Sequence, residues 1–314
     1  MSRIAAVVVT YNRKELLLQC LQRLQAQNHR AEFPEAELEV IVVDNASTDG
    51  TREALDELIQ EGGIWYSNTG SNLGGAGGFN CGMRKAVELG CDYVWIMDDD
   101  CMPHEDTLLE LLRADARLGG DYGYLSSVVR WTDGGICTMN VQRHPLTRSI
   151  VDFAPKLQPA TLASFVSLFV PAAIIKELGL PIKDFFIWSD DWEFTRRISR
   201  AHPCYVVGKS VVTHASKSNG VGNIALDSEE KIARYKLAYR NDVVLYRREG
   251  LKGYAYIVVR GLYHTVLVLT KAKSKKLERW RTILQGNLEG FGFHPEIEYV
   301  DAGTEESLPS HDVQ

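Results

Sequence analysis

Tyr93-Val94-Trp95-Ile96-Met97-Asp98-Asp99-Asp100 is a run of five apolar or aromatic residues that ends in three carboxylates. The run reads as a buried strand and the acids as its carboxyl-terminal tip. Three like charges at one strand end repel each other, so a compensating cation is expected beside them. A divalent ion holding a phosphorylated substrate meets that need, because Mg²⁺ and Mn²⁺ take oxygen ligands and bridge phosphates. The same residues also read as a solvated loop in which Asp100 caps a helix beginning near Pro103.

The flanking sequence repeats this pattern. Residues 4–9 are apolar and largely β-branched, Thr10-Tyr11-Asn12 is a polar turn, and 14–27 carries apolar side chains at 16, 17, 21 and 24. That is strand, loop and amphipathic helix. The unit recurs as a strand at 39–43, a turn-rich loop at 44–50 and a helix at 51–60. A short strand at 64–67 leads through the glycine-rich 70–78 to a helix over about 79–89, and 93–97 is the fourth strand. The alternation predicts an α/β fold, a mostly parallel sheet with helices on both faces and a Rossmann-like nucleotide-binding half. Such sheets bind ligands beyond the carboxyl ends of their strands. The clusters Thr10-Tyr11-Asn12, Asp44-Asn45-Ala46-Ser47 and Asp98-Asp99-Asp100 all fall there.

The second half is less regular. Mixed strands and turns are expected at 119–150, a short helix at 171–180, and a strand at 204–213 that ends at His214. An aromatic and acidic stretch at 184–200 enters a helix, and 217–224 reads as a mobile loop. Residues 227–248 read as a long helix, with Asp227 and Glu230 in capping-box spacing and apolar positions at 232, 235, 239, 243 and 246. A helical appendage follows, and the last dozen residues read as disordered.

A chain of 314 residues has room for one large α/β domain plus that appendage. Its net charge of −6 argues against sequence-independent nucleic-acid binding. The cysteines at 20, 81, 91, 101, 137 and 204 form neither a Cys-x-x-Cys pair nor a zinc spacing, so they read as thiols of a reducing, cytoplasmic compartment. Residues 4–9 are too short for a secretory signal. The apolar stretch 254–270 contains Arg260 and His264, which argues against a spanning helix.

Several constellations carry chemistry. Asp44 follows the second strand, where α/β folds place an acid on a ribose or base, and taken alone it reads first as an Asx-turn or helix cap. Asn72-Leu73-Gly74-Gly75-Ala76-Gly77-Gly78-Phe79-Asn80 offers side-chain-free amides to phosphate or sugar oxygens at a helix start. It fits neither the dinucleotide fingerprint nor a P-loop, which disfavours a dehydrogenase or a P-loop ATPase. Ile187-Trp188-Ser189-Asp190-Asp191-Trp192-Glu193-Phe194 sets three acids among aromatic walls that stack on sugars and raise a carboxylate toward general-base range. It also reads as an acid-rich first helical turn. His214 is either a metal ligand or a structural histidine. Residues 271–281 hold six Lys and Arg against one Glu, which suits an anionic membrane surface, a diphosphate lipid or a solvated helix face.

Together these pieces resemble a family 2 glycosyltransferase of the GT-A fold. The resemblance rests on Val7-Val8-Val9-Thr10-Tyr11-Asn12-Arg13, on Val42-Val43-Asp44-Asn45-Ala46-Ser47-Thr48-Asp49-Gly50, on Asp98-Asp99-Asp100, on Asp190-Asp191-Trp192-Glu193 and on His214. It spans roughly residues 3–250. Residues 72–82, the triple acid and Trp188-Ser189-Asp190-Asp191 are most similar to bacterial galactofuranosyltransferases, with rhamnosyltransferases that use dTDP-rhamnose close behind. A non-catalytic sugar-nucleotide-binding scaffold is the rival of another class.

The resemblance implies an inverting transfer from a UDP-sugar to a lipid-linked glycan, by a cytoplasmic protein lying peripherally on the inner face of the membrane. Thr10, Asn12, Arg13 and Asp44 would line the uridine pocket, with Asn72, Gly74 and Gly75 near the nucleotide and donor sugar. Asp98, Asp100 and His214 would hold Mn²⁺ or Mg²⁺ against the diphosphate, with Asp99 toward the sugar. Asp191 matches the catalytic base; Asp190 and Glu193 would support it or grip the acceptor beside Trp188 and Trp192. Ser189-Asp190 stands where many members have Glu-Asp preceded by glycine, which leaves the base open between Asp190 and Asp191. The implied organisation is a glycosyltransferase domain at 1–225, split into a nucleotide-sugar half (1–100) and an acceptor-binding, catalytic half (101–225). A helical region at 226–300 and a tail at 301–314 complete it.

Overall fold

The computed structural model describes residues 2–300; the tail expected at 301–314 lies outside them. The first half is β1 (Ser2–Thr10), α1 (Lys14–Gln25), β2 (Ala36–Asp44), α2 (Thr51–Ala54), α3 (Asp56–Gln60), β3 (Trp65–Asn68), α4 (Gly74–Glu88) and β4 (Tyr93–Asp98). β1 is buried on both faces, as its unbroken apolar run requires. Ile4, Ala6 and Val8 pack with Leu17, Leu21 and Leu24 of α1 on one side of the sheet. Ala5, Val7 and Val9 pack with Met83, Ala86 and Val87 of α4 on the other. β3, β2, β1 and β4 pair in parallel, and the register sets Thr10 beside Asp44 and Val9 beside Asp98. The three polar clusters therefore share one edge of the sheet.

Two helices differ from expectation. The helix expected at 51–60 is broken in two, with Leu55 turned into the core at the break. The helix expected from 79 begins at Gly74 and absorbs the glycine-rich stretch. A Cβ on Gly78 would lie 2.5 Å from Val9 Cγ1, and one on Gly82 2.3 Å from Val7 Cγ1. Those glycines let α4 lie close on β1 instead of forming an open loop.

Beyond β4 come β5 (Cys101–Pro103), α5 (Thr107–Leu118), β6 (Leu125–Trp131), β7 (Leu157–Pro159), β8 (Leu168–Pro171), α6 (Ala172–Leu178), α7 (Asp190–Ala201) and β9 (Tyr205–His214). The sheet runs β3-β2-β1-β4-β8-β6-β9-β5, with β7 also on β9. β8 is antiparallel to β4 and β6, and β9 is antiparallel to β5 and β7, so the parallel half continues into a mixed one. Asp100 caps no helix, because α5 starts only at Thr107. It precedes β5, whose Cys101 is in register with His214.

The C-terminal region is α8 (Ile232–Arg247), α9 (Leu251–Lys271) and α10 (Lys276–Gly292). Ile232, Tyr235, Tyr239, Val243 and Tyr246 are buried as the helical spacing predicts. The Asp227–Glu230 capping box does not form. Asp227 Oδ2 accepts the Tyr235 hydroxyl at 2.7 Å, and its carbonyl accepts Arg279 Nη2 at 2.9 Å. All six cysteines are free. Among the described residues no helix is long and apolar enough to cross a membrane.

Candidate active site

Asp98 ends β4, and Asp99 and Asp100 form the turn into β5, each only 3–5% exposed. Thr10 Oγ1 donates to Asp99 Oδ2 at 2.8 Å. Arg13 Nη1 donates to Asp99 Oδ1 at 3.1 Å and to Asp100 Oδ2 at 2.8 Å. His214 Nε2 lies 3.0 Å from Asp100 Oδ1, and its Nδ1 lies 2.8 Å from Asn140 Oδ1 and 3.6 Å from Cys137 Sγ. Burial works against a charged imidazole here, but the hydrogen bonds to Asp100 and Cys137 and the charges of Asp100 and Asp98 outweigh it and raise His214 to about 10. Burial also opposes ionisation of Asp100, yet His214 and Arg13 hold it below the ordinary carboxylate value. Asp99 is pushed up to about 6, chiefly by burial, against the pull of Arg13. Asp98 is raised by burial and by the charge of Asp100. Arg13 and His214 thus serve Asp99 and Asp100, while no ion pair reaches Asp98 among the described residues. Among those residues no three His, Cys, Asp or Glu side chains are placed together as a metal-holding group.

The neighbouring loops are tied by short polar contacts. Asp44 is fully buried, with Oδ1 accepting the Ser47 amide at 2.8 Å and Oδ2 the Tyr66 hydroxyl at 2.7 Å. Its side chain thus holds the turn by the amide three residues on, where an Asx-turn would use the one two residues on, with Tyr66 added. Asn12, at φ +52°, donates its amide to Ser47 Oγ at 2.9 Å and accepts the Thr48 amide at 2.7 Å. Asn45 Nδ2 donates to the Gly74 carbonyl at 3.0 Å, and Asn72 Oδ1 accepts the Gly74 amide at 2.8 Å. Gly74, at φ +71°, lies so close to Phe186 that a Cβ would stand 2.0 Å from its carbonyl oxygen. The Ala76 amide donates to that same oxygen at 3.2 Å. At Gly75 a Cβ would meet only the Phe79 ring, at 4.0 Å. The start of α4 thus abuts the loop that carries the second acid cluster.

That loop is held in an unusual conformation. Phe186, Trp188 and Ser189 all have φ between +64° and +68°, a region that costs energy for residues with side chains. α8 restrains them. Asn241 Nδ2 shares its two hydrogens among the carbonyls of Phe185, Ile187 and Trp188 at 2.9–3.1 Å. Ser189 Oγ donates to Asp242 Oδ1 at 2.6 Å, and Arg260 of α9 holds Asp242 Oδ2 at 2.6 Å. α7 then opens with Asp190 and Asp191. Burial raises both, and Asp191 is pushed well above the carboxylate range by the added charges of Asp190 and Asp98. Neither has an ion-pair partner among the described residues. Asp190 is buried, whereas Asp191 keeps an accessible edge and accepts the Trp192 amide at 2.7 Å.

Glu193 does not fit its expected role at the acceptor. It is 1% exposed and pairs with Arg197 at 3.0 Å and with Arg248, so it anchors α7 instead. Trp188 leans on Tyr235 with ring centroids 5.0 Å apart, and Arg143 lies 4.2 Å over the Trp192 ring. Sequence reasoning missed Asn241, Asp242, Arg260 and Tyr66. An Asn-Asp pair directly before Val243-Val244-Leu245 was the available signal, since buried polar groups need partners.

Residues 5–149 match the family model described as Glycosyl transferase family 2. That match spans just under half of the chain and ties residues 5–149 to the family 2 glycosyltransferases. Curated proteins similar to this chain include galactofuranosyltransferase GlfT1 of Mycolicibacterium smegmatis, 29% identical over 206 residues, and that of Mycobacterium tuberculosis, 31% identical over 209. The matches cover 63% and 62% of this chain, and 66% and 64% of those proteins, so under two thirds of the relatives' length is spanned. Among solved structures, the mannosyltransferase PcManGT from Pyrobaculum calidifontis in complex with GDP-Man and Mn²⁺ superposes with a TM-score of 0.56 at 17% identity. It covers 92% of this chain and 86% of that one. The fold is that of GT-A glycosyltransferases.

Proposed function

We propose that the protein is an inverting glycosyltransferase that moves galactofuranose from UDP-galactofuranose to a hydroxyl of a lipid-linked cell-surface glycan. The observation that carries this is the pairing of two unlike acid clusters, one supplied with cations at the strand tips and one desolvated without any at the start of α7. Asp98, Asp100 and, once it has given up its proton, His214 would hold Mn²⁺ or Mg²⁺. Two carboxylates and an imidazole suit either ion, and the raised proton affinity of unpaired Asp98 marks a local deficit of positive charge. Once bound, such an ion offsets the charge of a departing diphosphate.

The chain's own residues do the rest. Thr10 and Arg13 orient Asp99 toward the donor. Asp44, Asn12 and Asn45 fix the loops that would line the uridine pocket, and Asn72, Gly74 and Gly75 shape its floor. Asp191, which holds a proton more tightly than an ordinary carboxylate, accepts the proton of the acceptor hydroxyl, with Asp190 behind it. One displacement then inverts the anomeric centre, with no second nucleophile needed. Trp188 and Trp192 flank the acceptor. The donor assignment follows the likeness to GlfT1, and the protein acts peripherally on the cytoplasmic face of the membrane.

The test is UDP release by purified protein offered a panel of sugar nucleotides, Mn²⁺ and lipid-linked acceptors. Turnover with UDP-galactofuranose is expected, with UDP the stronger competitor. Tighter competition by dTDP would transfer the assignment to a rhamnosyl donor. Donor binding without turnover in the parent would point to a scaffold in place of an enzyme, and full activity in Asp191→Asn would take the base role from Asp191.

A further inference from the structure

α9 and α10 form an antiparallel hairpin. Near its turn Lys276 Nζ donates to the Leu269 carbonyl at 2.7 Å, and at its open end the Tyr254 and Phe291 rings stack with centroids 6.2 Å apart. One side packs on α8, where a Cβ at Gly286 or Gly290 would strike Lys236 or Val243. The other side covers nothing among the described residues. Val259 is 64% exposed, Leu262 63% and Leu288 61%. On α10 the positions 277, 280, 284, 288 and 291 are all apolar and exposed, at the spacing of one helical face. A contiguous apolar surface of this kind marks an interaction site.

Its charge says what it meets. Residues 251–292 hold eight Lys and Arg against two Glu, in a chain whose net charge is −6. Two of those cations are turned inward, Arg260 onto Asp242 and Arg279 onto the carbonyls of Ser274, Ile224 and Asp227. The basic stretch at 271–281 therefore loses Arg279 as a surface group. Lys271, Lys273, Lys275, Lys276 and Arg281 remain exposed around the turn. A symmetric pairing with a second copy would set this positive excess against itself. Residues 301–314 offer only Leu308 and Val313 as large aliphatic side chains, too few to cover two helices. Anionic lipid complements both features, apolar face to acyl chains and lysines to headgroups.

We propose that the exposed α9–α10 face docks in the plane of an anionic bilayer. The proposal deepens the transferase reading, from which it takes its biological occasion, a lipid-linked acceptor. The docked helix is also joined to the reaction loop, because Arg260 on the inner side of α9 holds Asp242, which holds Ser189. Seating α9 on lipid therefore fixes the direction in which the cleft opens.

Flotation of the full chain with vesicles of phosphatidylcholine alone, or mixed with phosphatidylglycerol, tests this. The parent should float with the anionic vesicles and roughly ten-fold less with the neutral ones. Leu262→Glu/Leu288→Glu, checked for folding by circular dichroism and Tm, should lose flotation by a similar factor. Equal flotation of variant and parent overturns the proposal, as does a parent that never floats. A parent dimer that the same variant dissociates would assign the face to a second copy. Asp191→Asn should float like the parent whatever its turnover, so a failure of docking and a failure of the transferase reading are told apart.

Discussion

Asp99 and Asp100, at the tip of β4, have the Arg13 guanidinium within 3.1 Å, and His214 closes on Asp100 at 3.0 Å; Asp190 and Asp191, at the start of α7, have no cation beside them among the described residues. Burial acts on all four, yet the outcomes differ. Where His214 and Arg13 stand by, Asp100 is driven below its ordinary proton affinity and stays charged. Where only another acid stands by, Asp191 is driven far above it. At Asp100 the neighbouring cations make a permanent charge, suited to gripping a cation–phosphate assembly, whereas Asp99, with Arg13 alone, is still pushed up to about 6. Their absence makes a proton acceptor. The same residue type does two jobs because of what surrounds it.

The sharpest break of this division is Asp191→Asn. It should lower kcat by about 10²–10⁴-fold, the usual worth of a general base, while calorimetry shows unchanged donor binding. Loss of donor affinity to the same degree would put Asp191 on the wrong side of the comparison. Next in size are Asp98→Ala and Asp100→Ala, each expected to cost roughly 10²–10³-fold in turnover. Here donor affinity should fall too, and a chelator should silence the parent. Equal turnover with and without chelator would remove Mn²⁺ or Mg²⁺ from the strand-tip cluster.

The two clusters also differ in how plainly the sequence displays them. The strand-tip cluster is written locally. β1, β2 and β4 are short apolar runs, each ending in its own polar residues, and a parallel sheet lines those ends up without further instruction. Even so, the partner of Arg13 was not legible, because a cation in the loop after β1 finds Asp99 and Asp100 only once β4 lies beside that strand. The glycines of α4 were legible as special but not in their purpose, which depends on Val7 and Val9 of another element. The α7 cluster was recognisable from Asp190-Asp191. Its support was not, since Asn241, Asp242 and Arg260 lie fifty or more residues further along. Glu193 misled for the same reason, because its partner Arg248 is equally remote.

That remote support predicts a third, smaller effect. Asn241→Ala withdraws the donor shared by three carbonyls and frees a loop whose residues sit at positive φ. Stability should fall by about 1–3 kcal/mol in urea unfolding, the cost of leaving buried acceptors unpaired. Displacement of Asp191 should lower kcat by roughly ten- to a hundred-fold, with the KM for donor little changed. If KM rises and kcat holds, Asn241 supports the nucleotide side and α8 is not the clamp of the base.

The smallest effect has opposite signs in the two clusters, measured as Tm in chelator across pH 3–8. Asp191 has a raised folded-state pKa, so between the ordinary carboxylate value and that raised one the native protein binds more protons than the unfolded chain. Its contribution to stability is complete at low pH and is lost as pH rises. Asp191→Asn keeps the neutral form throughout, so its Tm relative to the parent should climb by a few degrees from pH 4 to pH 8. Asp100 has a lowered folded-state pKa, so its contribution is present above the ordinary carboxylate value and lost as pH falls through the lowered one. Asp100→Asn should therefore lie below the parent from pH 8 down to pH 4, and the gap should close only as pH falls below the ordinary carboxylate value. Curves that moved in the same direction for both variants would mean that Arg13 and His214 do not set the strand-tip acids apart from those of α7.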